Sequence, residues 1–293
     1  MEKLGLVTVI FNGPEVLDGF FKSVSIQSHK DYILYLIDNS STLESDKLIN
    51  NLLLKYNITS YKHIKNESNV GVAMANNQGI ELSIQEGTSH TILLNNDIEF
   101  SDANLFETIL KRAVTDDETI VIPKILFYDS RKIWMAGGKF DMLKGLANHI
   151  GEGEENSSKF NTEKYFKYAP TCFMLINNRL FKDIGLMDEK YFVYFDDSDF
   201  LFRAYKKGYL VKYLPHLEIL HKVSSSTGGK ESLFSIYYSN RNRIYFIKRN
   251  FKGFNYFIAM FVTMTSRIWK YIRYNKEEKE KLIQAIMSGL KMK

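Results

Sequence analysis

Cysteine is nearly absent from the 293-residue sequence, where Cys172 is its single occurrence. One cysteine excludes an internal disulfide and is typical of a protein in a reducing compartment. Residues 1–4 lead directly into a strand-like apolar run, so we expect no signal peptide. We therefore expect the protein in the cytoplasm or at the inner face of the plasma membrane.

Long apolar runs and two common phosphate-binding motifs are also missing. The longest uncharged stretch, residues 253–266, is shorter than the about 20 residues that a membrane-spanning helix needs. The glycine-rich dinucleotide fingerprint and the P-loop are both absent. Their absence argues against a nicotinamide-dependent dehydrogenase and against a kinase-type phosphate cradle.

Acidic residues are scarce at the C-terminal end of the sequence. Residues 241–293 contain 13 Lys or Arg and three Glu, a net charge of +10, so residues 1–240 carry −5 of the total of +5. Aromatic residues such as Phe257 and Trp269 alternate with these cations, which suits peripheral contact with an anionic membrane. The alternative is a pair of packing helices with solvated basic faces. We expect no nucleic acid as a partner, because the acidic body would repel its phosphates.

Strand-like and helix-like segments alternate over the first 120 residues. The expected strands are residues 6–11, 32–37, 60–64, 91–94 and 120–123, and the expected helices are residues 16–26, 41–56, 72–85 and 103–114. Ser41 and Glu44 have the spacing of a capping box, which places the start of the second helix at Ser41. This alternation predicts an α/β fold with a mostly parallel central sheet flanked by helices.

The later part of the sequence has weaker periodicity. Residues 125–169 look irregular, and a buried strand is expected at 171–176. A helix at 179–184 ends at Gly185, and a helix at 197–207 ends at Gly208, since glycine suits the position after a helix. A strand at 209–214 follows. The charge shift near residue 240 is the boundary signal.

Polar side chains follow several of the expected strands, namely Asn12, Asp38, Asn39 and Asp97. In a parallel sheet these carboxyl ends lie along one edge, which is where open α/β sheets bind their ligands. We therefore expect a nucleotide at this edge.

Three groups of acidic or metal-ligating side chains come in a fixed order. They are Asn95-Asn96-Asp97 at a strand end, Asp196-Asp197-Ser198-Asp199 a hundred residues later, and His221, 24 residues after Asp197. The first group can hold a cation, the second can supply a base, and the histidine can complete a metal site. The order suggests a metal-assisted transfer reaction on a phosphorylated donor.

At this level of detail the sequence resembles the family 2 glycosyltransferases, which have the GT-A fold. The matching blocks are Val9-Ile10-Phe11-Asn12, Asp38-Asn39-Ser40-Ser41, Asn69-Val70-Gly71-Val72-Ala73 with Asn77 and Gly79, Leu93-Leu94-Asn95-Asn96-Asp97, Gly185-Leu186-Met187-Asp188-Glu189, Tyr194-Phe195-Asp196-Asp197-Ser198-Asp199 with Arg203, and Gly208-Tyr209 with Pro215 and His221. The likeness covers about residues 6–248. The stretch from Trp134 to Gly138, His149 and the pair Arg241-Asn242 look most like the bacterial rhamnosyltransferase-type branch.

The resemblance implies a domain organisation and a reaction. We expect a GT-A domain at 1–240, with a nucleotide-binding half at about 1–120 and an acceptor half at about 121–240, followed by a basic aromatic helical tail at 241–293. The family transfers a sugar from a nucleotide-diphosphate donor, here a UDP- or dTDP-sugar, to an acceptor hydroxyl with inversion. The acceptor would be a glycan or a lipid-linked molecule in cell-surface polysaccharide synthesis.

The resemblance also implies roles for individual residues. Asp97 and His221 would hold a divalent cation, Mg²⁺ or Mn²⁺, against the diphosphate, and Asp197 would be the catalytic base. The residues expected to bind the nucleotide sugar are Phe11, Asn12, Asp38, Asn69, Gly71, Asn77, Asn95 and Asn96. The residues expected on the acceptor side, or in support of it, are Trp134, His149, Cys172, Asp196, Asp199 and Arg203.

Each role has a structural alternative. Asp97 could cap a following helix, and the acids at 196–199 could cap the helix that they begin. His221 could be a satisfied structural residue, and Asp38 could bond its own backbone in a turn. Asn69 and Asn77 could be simple helix caps. Asp199 and Arg203, four residues apart, are expected to pair.

Two other functions stay open. Asn95 replaces the first acid of the fuller metal motif, which is compatible with a non-catalytic nucleotide-sugar-binding subunit of an assembly complex. A nucleotidyltransferase would share the sheet and the metal, but it would need a glycine-rich basic loop that Asn12-Gly13-Pro14 does not resemble.

Overall fold

A computed structural model describes residues 2–40, 42–223 and 232–293. The strands are β1 (Leu4–Ile10), β2 (Tyr32–Asp38), β3 (Tyr61–Lys65), β4 (His90–Asn95), β5 (Ile98–Glu99), β6 (Ile120–Phe127), β7 (Ile133–Met135), β8 (Gly138–Asp141), β9 (Leu146–His149), β10 (Lys164–Phe166), β11 (Phe173–Asn177) and β12 (Val211–His221). The helices are α1 (Pro14–Ser25), α2 (Leu43–Lys55), α3 (Val72–Gln85), α4 (Leu105–Thr115), α5 (Arg179–Ile184), α6 (Asp196–Lys206), α7 (Leu233–Asn250), α8 (Gly253–Arg273) and α9 (Lys276–Lys291).

A large mixed sheet forms the centre of the molecule, with strand order β10-β12-β6-β11-β4-β1-β2-β3. Strands β4, β1, β2 and β3 run parallel to one another, and β12 runs parallel to β6. Every residue of β2 is buried, as expected where helices cover both faces of a parallel sheet. The predicted α/β fold with flanking helices is confirmed.

The helix α2 begins later than the capping pattern predicted. Its N-cap is Thr42, whose side chain accepts a hydrogen bond from the Ser45 amide at 3.1 Å, and Leu43 is its first residue. The predicted cap, Ser41, lies outside the described residues. The start of α3 at Val72 matches the prediction.

The prediction that residues 125–169 are irregular was wrong. This stretch extends β6, adds β7 to the sheet and forms a hairpin of β8 and β9 in which Gly138 pairs with His149. These strands have at most four residues, too few for a periodic pattern to emerge.

The strand β12 is longer than predicted because it continues beyond Pro215. The register against β6 shifts between Leu214 and Glu218. Proline has no amide to donate to a sheet, so an irregularity at this point lets pairing resume and reach His221.

The C-terminal helices pack partly on the body. Helix α7 runs without a break through residues 240 and 241, and Tyr245, Phe246 and Ile247 form a second apolar cluster with Tyr191 and Phe202. The charge boundary therefore falls inside a helix, and a division of the chain there stays a prediction. Among the helices of the described ranges, none is both long and apolar enough to cross a membrane.

Candidate active site

A cavity opens at the carboxyl ends of the parallel strands. Six of the residues predicted to bind the donor or its cation line it: Phe11, Asn69, Gly71, Asn95, Asn96 and Asp97. The loop after α5 and the start of α7 complete the wall with Phe192, Val193 and Phe234. The cavity thus lies where an open α/β sheet binds a nucleotide.

Asp97 and His221 meet although 124 residues separate them in the sequence. His221 Nε2 lies 3.2 Å from Asp97 Oδ1, and both side chains are buried. Strand β5 brings them together, because Ile98 pairs with His221 and the Lys222 amide donates to the Asp97 carbonyl at 2.8 Å. No helix begins at Asp97, since α4 starts at Leu105, so the capping alternative is excluded here.

The pair fits a divalent cation. Neighbouring ligands of an octahedral ion held at about 2.1 Å lie about 3 Å apart, close to the separation of Asp97 Oδ1 and His221 Nε2. A carboxylate oxygen suits Mg²⁺ and Mn²⁺, and an imidazole nitrogen suits transition metals. Two protein ligands leave positions for phosphate oxygens and water, as is usual for such ions at phosphate sites.

A second group of potential metal ligands lies where the end of β2, the middle of β3 and the first turn of α2 meet. It contains Asp38, Asp46 and His63, with His63 Nε2 3.5 Å from Asp38 Oδ2. Asp38 accepts hydrogen bonds from the Ser40 amide at 2.8 Å and from the Ser45 hydroxyl at 2.9 Å, and Lys65 pairs with Asp46. Burial raises the pKa of Asp38, but hydrogen bonding with His63, Ser40 and Ser45 outweighs it and holds that pKa below its usual range.

The acidic cluster begins α6. The N-cap is Phe195, without a side-chain cap bond, and the acids lie in the first turn of the helix, so the alternative that they stabilise the helix start stays open. Asp196 is buried, whereas Asp197 is partly exposed. Asp197 Oδ2 accepts from the Tyr168 hydroxyl at 2.7 Å, and Oδ1 accepts from the Ser198 amide at 2.6 Å. Partial exposure makes Asp197 the acid of this pair that an acceptor can reach.

Burial raises the pKa values of the two adjacent acids, Asp196 and Asp197. Burial, followed by the charge of Asp197, raises the pKa of Asp196. Burial also raises the pKa of Asp197, although Tyr168 and Ser198 donate to its carboxylate and oppose the rise. A carboxylate whose pKa is raised is a stronger base than an ordinary aspartate.

A row of aromatic rings runs from His221, beside Asp97, to Tyr168, which donates to Asp197. The ring of Trp134 lies 4.3 Å from that of His221 and 4.5 Å from that of His149, and His149 stacks on Tyr168 at 6.2 Å. Burial lowers the pKa of His149, which favours the neutral imidazole. Two residues predicted for the acceptor side, Trp134 and His149, therefore lie between the predicted cation ligands and the predicted base.

Cys172 lies beneath the same region. Burial, followed by the charges of Asp97 and Asp197, raises the pKa of its thiol well above the usual range. The Asn95 amide donates to the Cys172 carbonyl at 2.8 Å. A neutral buried thiol packs as a small apolar group, so Cys172 supports the strand that carries the metal motif.

The loop that leads into α6 was not predicted to be special. Phe192, Tyr194 and Phe195 all have positive φ angles, of 65°, 63° and 67°. Such strained residues persist only where their surroundings hold them, and they concentrate at functional sites. Because none of them is glycine or asparagine, this turn could not be predicted from the residue types.

Asn242 of α7 holds this loop. Its side-chain amide donates to the carbonyls of Tyr191, Val193 and Tyr194 at 2.7, 2.7 and 2.9 Å. The Val72 amide also donates to the Phe192 carbonyl at 2.5 Å. Gly71 has a φ of 88°, and a Cβ there would lie 2.6 Å from the Phe192 carbonyl oxygen. The sequence resemblance included Asn242, but no spacing pattern could have indicated three carbonyl partners.

Three of the residues predicted to bind the nucleotide sugar, Asn12, Asp38 and Asn77, lie away from the cavity wall. Asn12 lies in a neighbouring groove beside Ser40, and Asn77 is buried, where it bonds both the amide and the carbonyl of Met187. Asn76, its neighbour, lines the cavity instead, as does Asn39 beside Asp38. Asn69 Oδ1 accepts from the Gly71 amide at 2.9 Å and from Asn39 at 3.1 Å.

Asp199 and Arg203 form the predicted pair and serve a structural role. Arg203 Nε donates to Asp199 Oδ2 at 2.8 Å, and its guanidinium also donates to the carbonyls of Ile184 and Leu186. Asp199 is fully buried and accepts from Asn250 at 2.7 Å. The pair thus joins α6 to α7 and to the preceding loop.

Sequence relatives of the chain are glycosyltransferases. It is 22% identical over 245 residues to the low-salt glycan biosynthesis hexosyltransferase Agl10 of Haloferax volcanii, covering 83% of this chain and 75% of that protein. It is 25% identical over 208 residues to glycosyltransferase GlyG of Streptococcus pneumoniae serotype 4, covering 70% and 65%. It is 25% identical over 165 residues to the dTDP-rhamnosyl transferase RfbF of Shigella flexneri, covering 54% and 51%.

Solved structures and a family profile agree with these relatives. GalNAc-T7, crystallised with UDP, GalNAc and Mn²⁺, has a TM-score of 0.69 at 15% identity, covering 97% of this chain and 54% of that one. The mannosyltransferase PcManGT of Pyrobaculum calidifontis, in complex with GDP-Man and Mn²⁺, has a TM-score of 0.61 at 9% identity, covering 99% and 87%. The profile described as glycosyl transferase family 2 matches residues 6–185, more than half of the sequence, and the chain therefore belongs to that family.

Proposed function

We propose that the protein is an inverting, cation-dependent glycosyltransferase of cell-surface polysaccharide or glycan synthesis. The observation that carries this proposal is the placement of Asp97 beside His221, with Asp197 at the other end of the Trp134–His149–Tyr168 row. One end offers ligands for a cation beside the cavity, and the other offers a base. Transfer of a sugar from a diphosphate to a hydroxyl needs both.

Asp97 and His221 would hold Mg²⁺ or Mn²⁺, which would offset the negative charge on the leaving diphosphate. Asn95 and Asn96, on the same cavity wall, offer neutral oxygens and amide donors to the donor's ribose and phosphates. Asn95 therefore still offers polar groups at the position where the fuller motif has an acidic side chain.

Asp197 would take the proton of the acceptor hydroxyl as the new glycosidic bond forms. The Tyr168 hydroxyl and the Ser198 amide fix the orientation of its carboxylate. Inversion requires the hydroxyl to attack from the side opposite the departing diphosphate, and hence a base remote from the cation ligands.

For the donor we propose a UDP- or dTDP-sugar. The solved relative with UDP and the curated relative named as a dTDP-rhamnosyl transferase support this choice. Asn39 and Asn69, joined by a hydrogen bond, present amide groups to the cavity where a nucleoside would lie. Asp38, which was expected to read the base or ribose, would act through this neighbouring asparagine.

For the acceptor we propose a glycan or a lipid-linked molecule at the cytoplasmic face of the plasma membrane, with peripheral membrane contact through the C-terminal tail. The relative named for low-salt glycan biosynthesis supports a glycan product. The net charge of +10 on residues 241–293 supports a location beside anionic lipid.

A donor screen followed by a turnover assay tests the proposal. Thermal shifts with UDP, dTDP, GDP and CDP, each with and without Mn²⁺, should show one metal-dependent stabilisation, since a ligand at a hundredfold over its Kd adds about 2.7 kcal/mol. Hydrolysis or transfer of the matching sugar should then require the cation and should fall by at least about 100-fold in Asp197→Asn. Unchanged turnover in that variant would refute the assignment of Asp197 as the catalytic base.

The second candidate is a nucleotide-sugar-binding subunit without catalysis, which Asn95 in place of an acid favours. It predicts the same thermal shift without turnover on any acceptor extract. Calorimetric donor binding that is unaffected by Asp197→Asn, together with no product, would select this alternative.

A further inference from the structure

Helix α8 has its apolar side turned away from the protein. Its fully buried positions are Ala259 and Thr263, and Arg267 is also buried. Its large apolar side chains point outward: Phe254, Phe257, Phe261, Ile268, Trp269 and Ile272 are between 61% and 76% exposed. A surface helix of a globular protein normally has the opposite arrangement.

The exposed side chains form one stripe. The positions 254, 257, 261, 268 and 272 differ by three, four, seven and four residues, which places them on one face of an α-helix. The 21-residue helix is about 32 Å long, so this outward aromatic face runs along much of one side of the C-terminal region. Isolated exposed apolar residues are common, but a continuous stripe of this length marks an interaction surface.

The charges around the stripe favour a negatively charged partner. Helix α8 contains no acidic residue. Exposed Lys252 precedes it, Arg273 is its last residue, and exposed Lys276 begins the next helix. Arg267 is buried and faces inward, so the cations that meet the partner lie at the ends of the stripe, where lipid headgroups would surround an inserted helix.

We infer that α8 lies in the surface of an anionic membrane, with the stripe from Phe254 to Ile272 among the acyl chains and the flanking cations at the headgroups. This inference rests on the proposed function and specifies its membrane contact: one helix face binds bilayers of acidic phospholipid. Phenylalanine and tryptophan side chains with flanking lysine and arginine are the composition that such interfacial helices use.

Vesicle flotation of the full chain tests the inference. Wild-type protein should float with vesicles of phosphatidylcholine mixed with phosphatidylglycerol, should float less with phosphatidylcholine alone, and should lose binding as salt rises. The triple variant Phe257→Ser, Phe261→Ser, Trp269→Ser should bind the mixed vesicles at least about tenfold more weakly. Binding equal to that of wild type would overturn the inference.

A matched control removes three exposed apolar side chains elsewhere. The control variant combines Leu54→Ser, Val114→Ser and Leu143→Ser, which change exposed residues outside α8. It should bind vesicles as wild type does. Equal loss of binding in this control would overturn the assignment to α8. The fluorescence of Trp269, 67% exposed, should shift to shorter wavelength with mixed vesicles, and Trp269→Phe should abolish that shift.

Two further readouts separate this inference from its rivals. If the stripe instead joined two copies of the chain, light scattering would give a dimer that the triple variant reduces to a monomer, with vesicle binding unchanged. That result would overturn the membrane assignment. Nucleotide-induced thermal shifts and turnover on a water-soluble acceptor do not need the stripe, so their failure would count against the proposed function and not against lipid binding.

Discussion

The hydroxyl of Tyr168 donates a 2.7 Å hydrogen bond to Oδ2 of Asp197. It joins the segment between β10 and β11 to the first turn of α6. Burial, then the charge of Asp197, raises the pKa of Tyr168 well above its usual range, so the hydroxyl stays a donor at every pH at which the enzyme would work. The bond both orients the carboxylate and stabilises its ionised form.

Tyr168→Phe should move the acid limb of the kcat/KM profile to higher pH. A hydrogen bond to the ionised form lowers the pKa of Asp197, so its removal raises a pKa that burial already raises. Because the base is active when ionised, the variant should need a higher pH for the same activity. The expected shift of the acid limb is about one pH unit, the effect of one hydrogen bond to a charged group. Tyr165→Phe, which removes the hydroxyl of an exposed tyrosine that bonds Glu118, should leave the profile in place. A shift to lower pH would contradict the assigned role.

Asp97→Asn and His221→Gln should each raise the Mn²⁺ concentration for half-maximal activation by at least about tenfold. Each variant removes one of the two proposed ligands while keeping a similar shape. Asp46→Asn, in the group of Asp38 and His63, serves as the control and should leave that concentration unchanged. An effect of Asp46→Asn, with no effect of the other two variants, would assign the cation to the group of Asp38, Asp46 and His63.

Asn242→Ala should lower kcat by about 10- to 100-fold, because the strained loop before Asp197 loses its three hydrogen bonds and shifts. It should also lower the free energy of unfolding by about 1–3 kcal/mol. Asn240→Ala is the matched control: Asn240 is equally buried on the same helix, but among the described residues its amide donates to the Ile236 carbonyl of α7 alone. Denaturant melts and single-turnover rates would show lost stability in both variants and lost rate in Asn242→Ala alone. Equal rates would reduce Asn242 to a structural residue.

Gly71→Ala should weaken donor binding and stability more than Gly87→Ala does. Both glycines have positive φ, at 88° and 75°, so both substitutions carry backbone strain of about 1 kcal/mol. Only at Gly71 would the new methyl meet the Phe192 backbone, at 2.6 Å, whereas nothing lies within 4 Å at Gly87 among the described residues. Nucleotide titrations of the two variants isolate the cost of the collision. Equal affinities would mean that the Phe192 loop moves freely.

The parallel strands and helices of the first 120 residues were predictable because their signals are local. The strand β2 is apolar throughout and ends at Asp38, and Gly71 marks the start of α3. In contrast, the hairpin of β8 and β9 depends on cross-strand bonds between short segments, which leave no periodicity in the sequence. Pro215 suggested the end of a strand, and only the neighbouring β6 shows why β12 continues beyond it.

The types of residue in the candidate site could be predicted from the sequence, but most contacts between them could not. The motif Asn95-Asn96-Asp97 and His221 stood out, but their meeting depends on β5, a strand of two residues. The ring row of Trp134, His149 and Tyr168 and the clamp by Asn242 arise from tertiary packing between distant segments. Positive φ at Phe192 could not be read from the sequence, since aromatic residues rarely adopt it.

The pairing of β5 with β12 also fixes when the active site can form during synthesis. Strands β1 to β4 neighbour one another in the sheet and are complete by residue 95, so they can associate while the ribosome is still elongating the chain. Asp97 can contact His221 only after β12 has been synthesised. The loop before Asp197 can be held by Asn242 only after α7 has been synthesised. Nascent chains halted before residue 211 should therefore already protect the first strands from proteases and yet gain no stability from added cation. On the proposed function, the catalytic residues would come together late in translation, after strands β1 to β4 have associated.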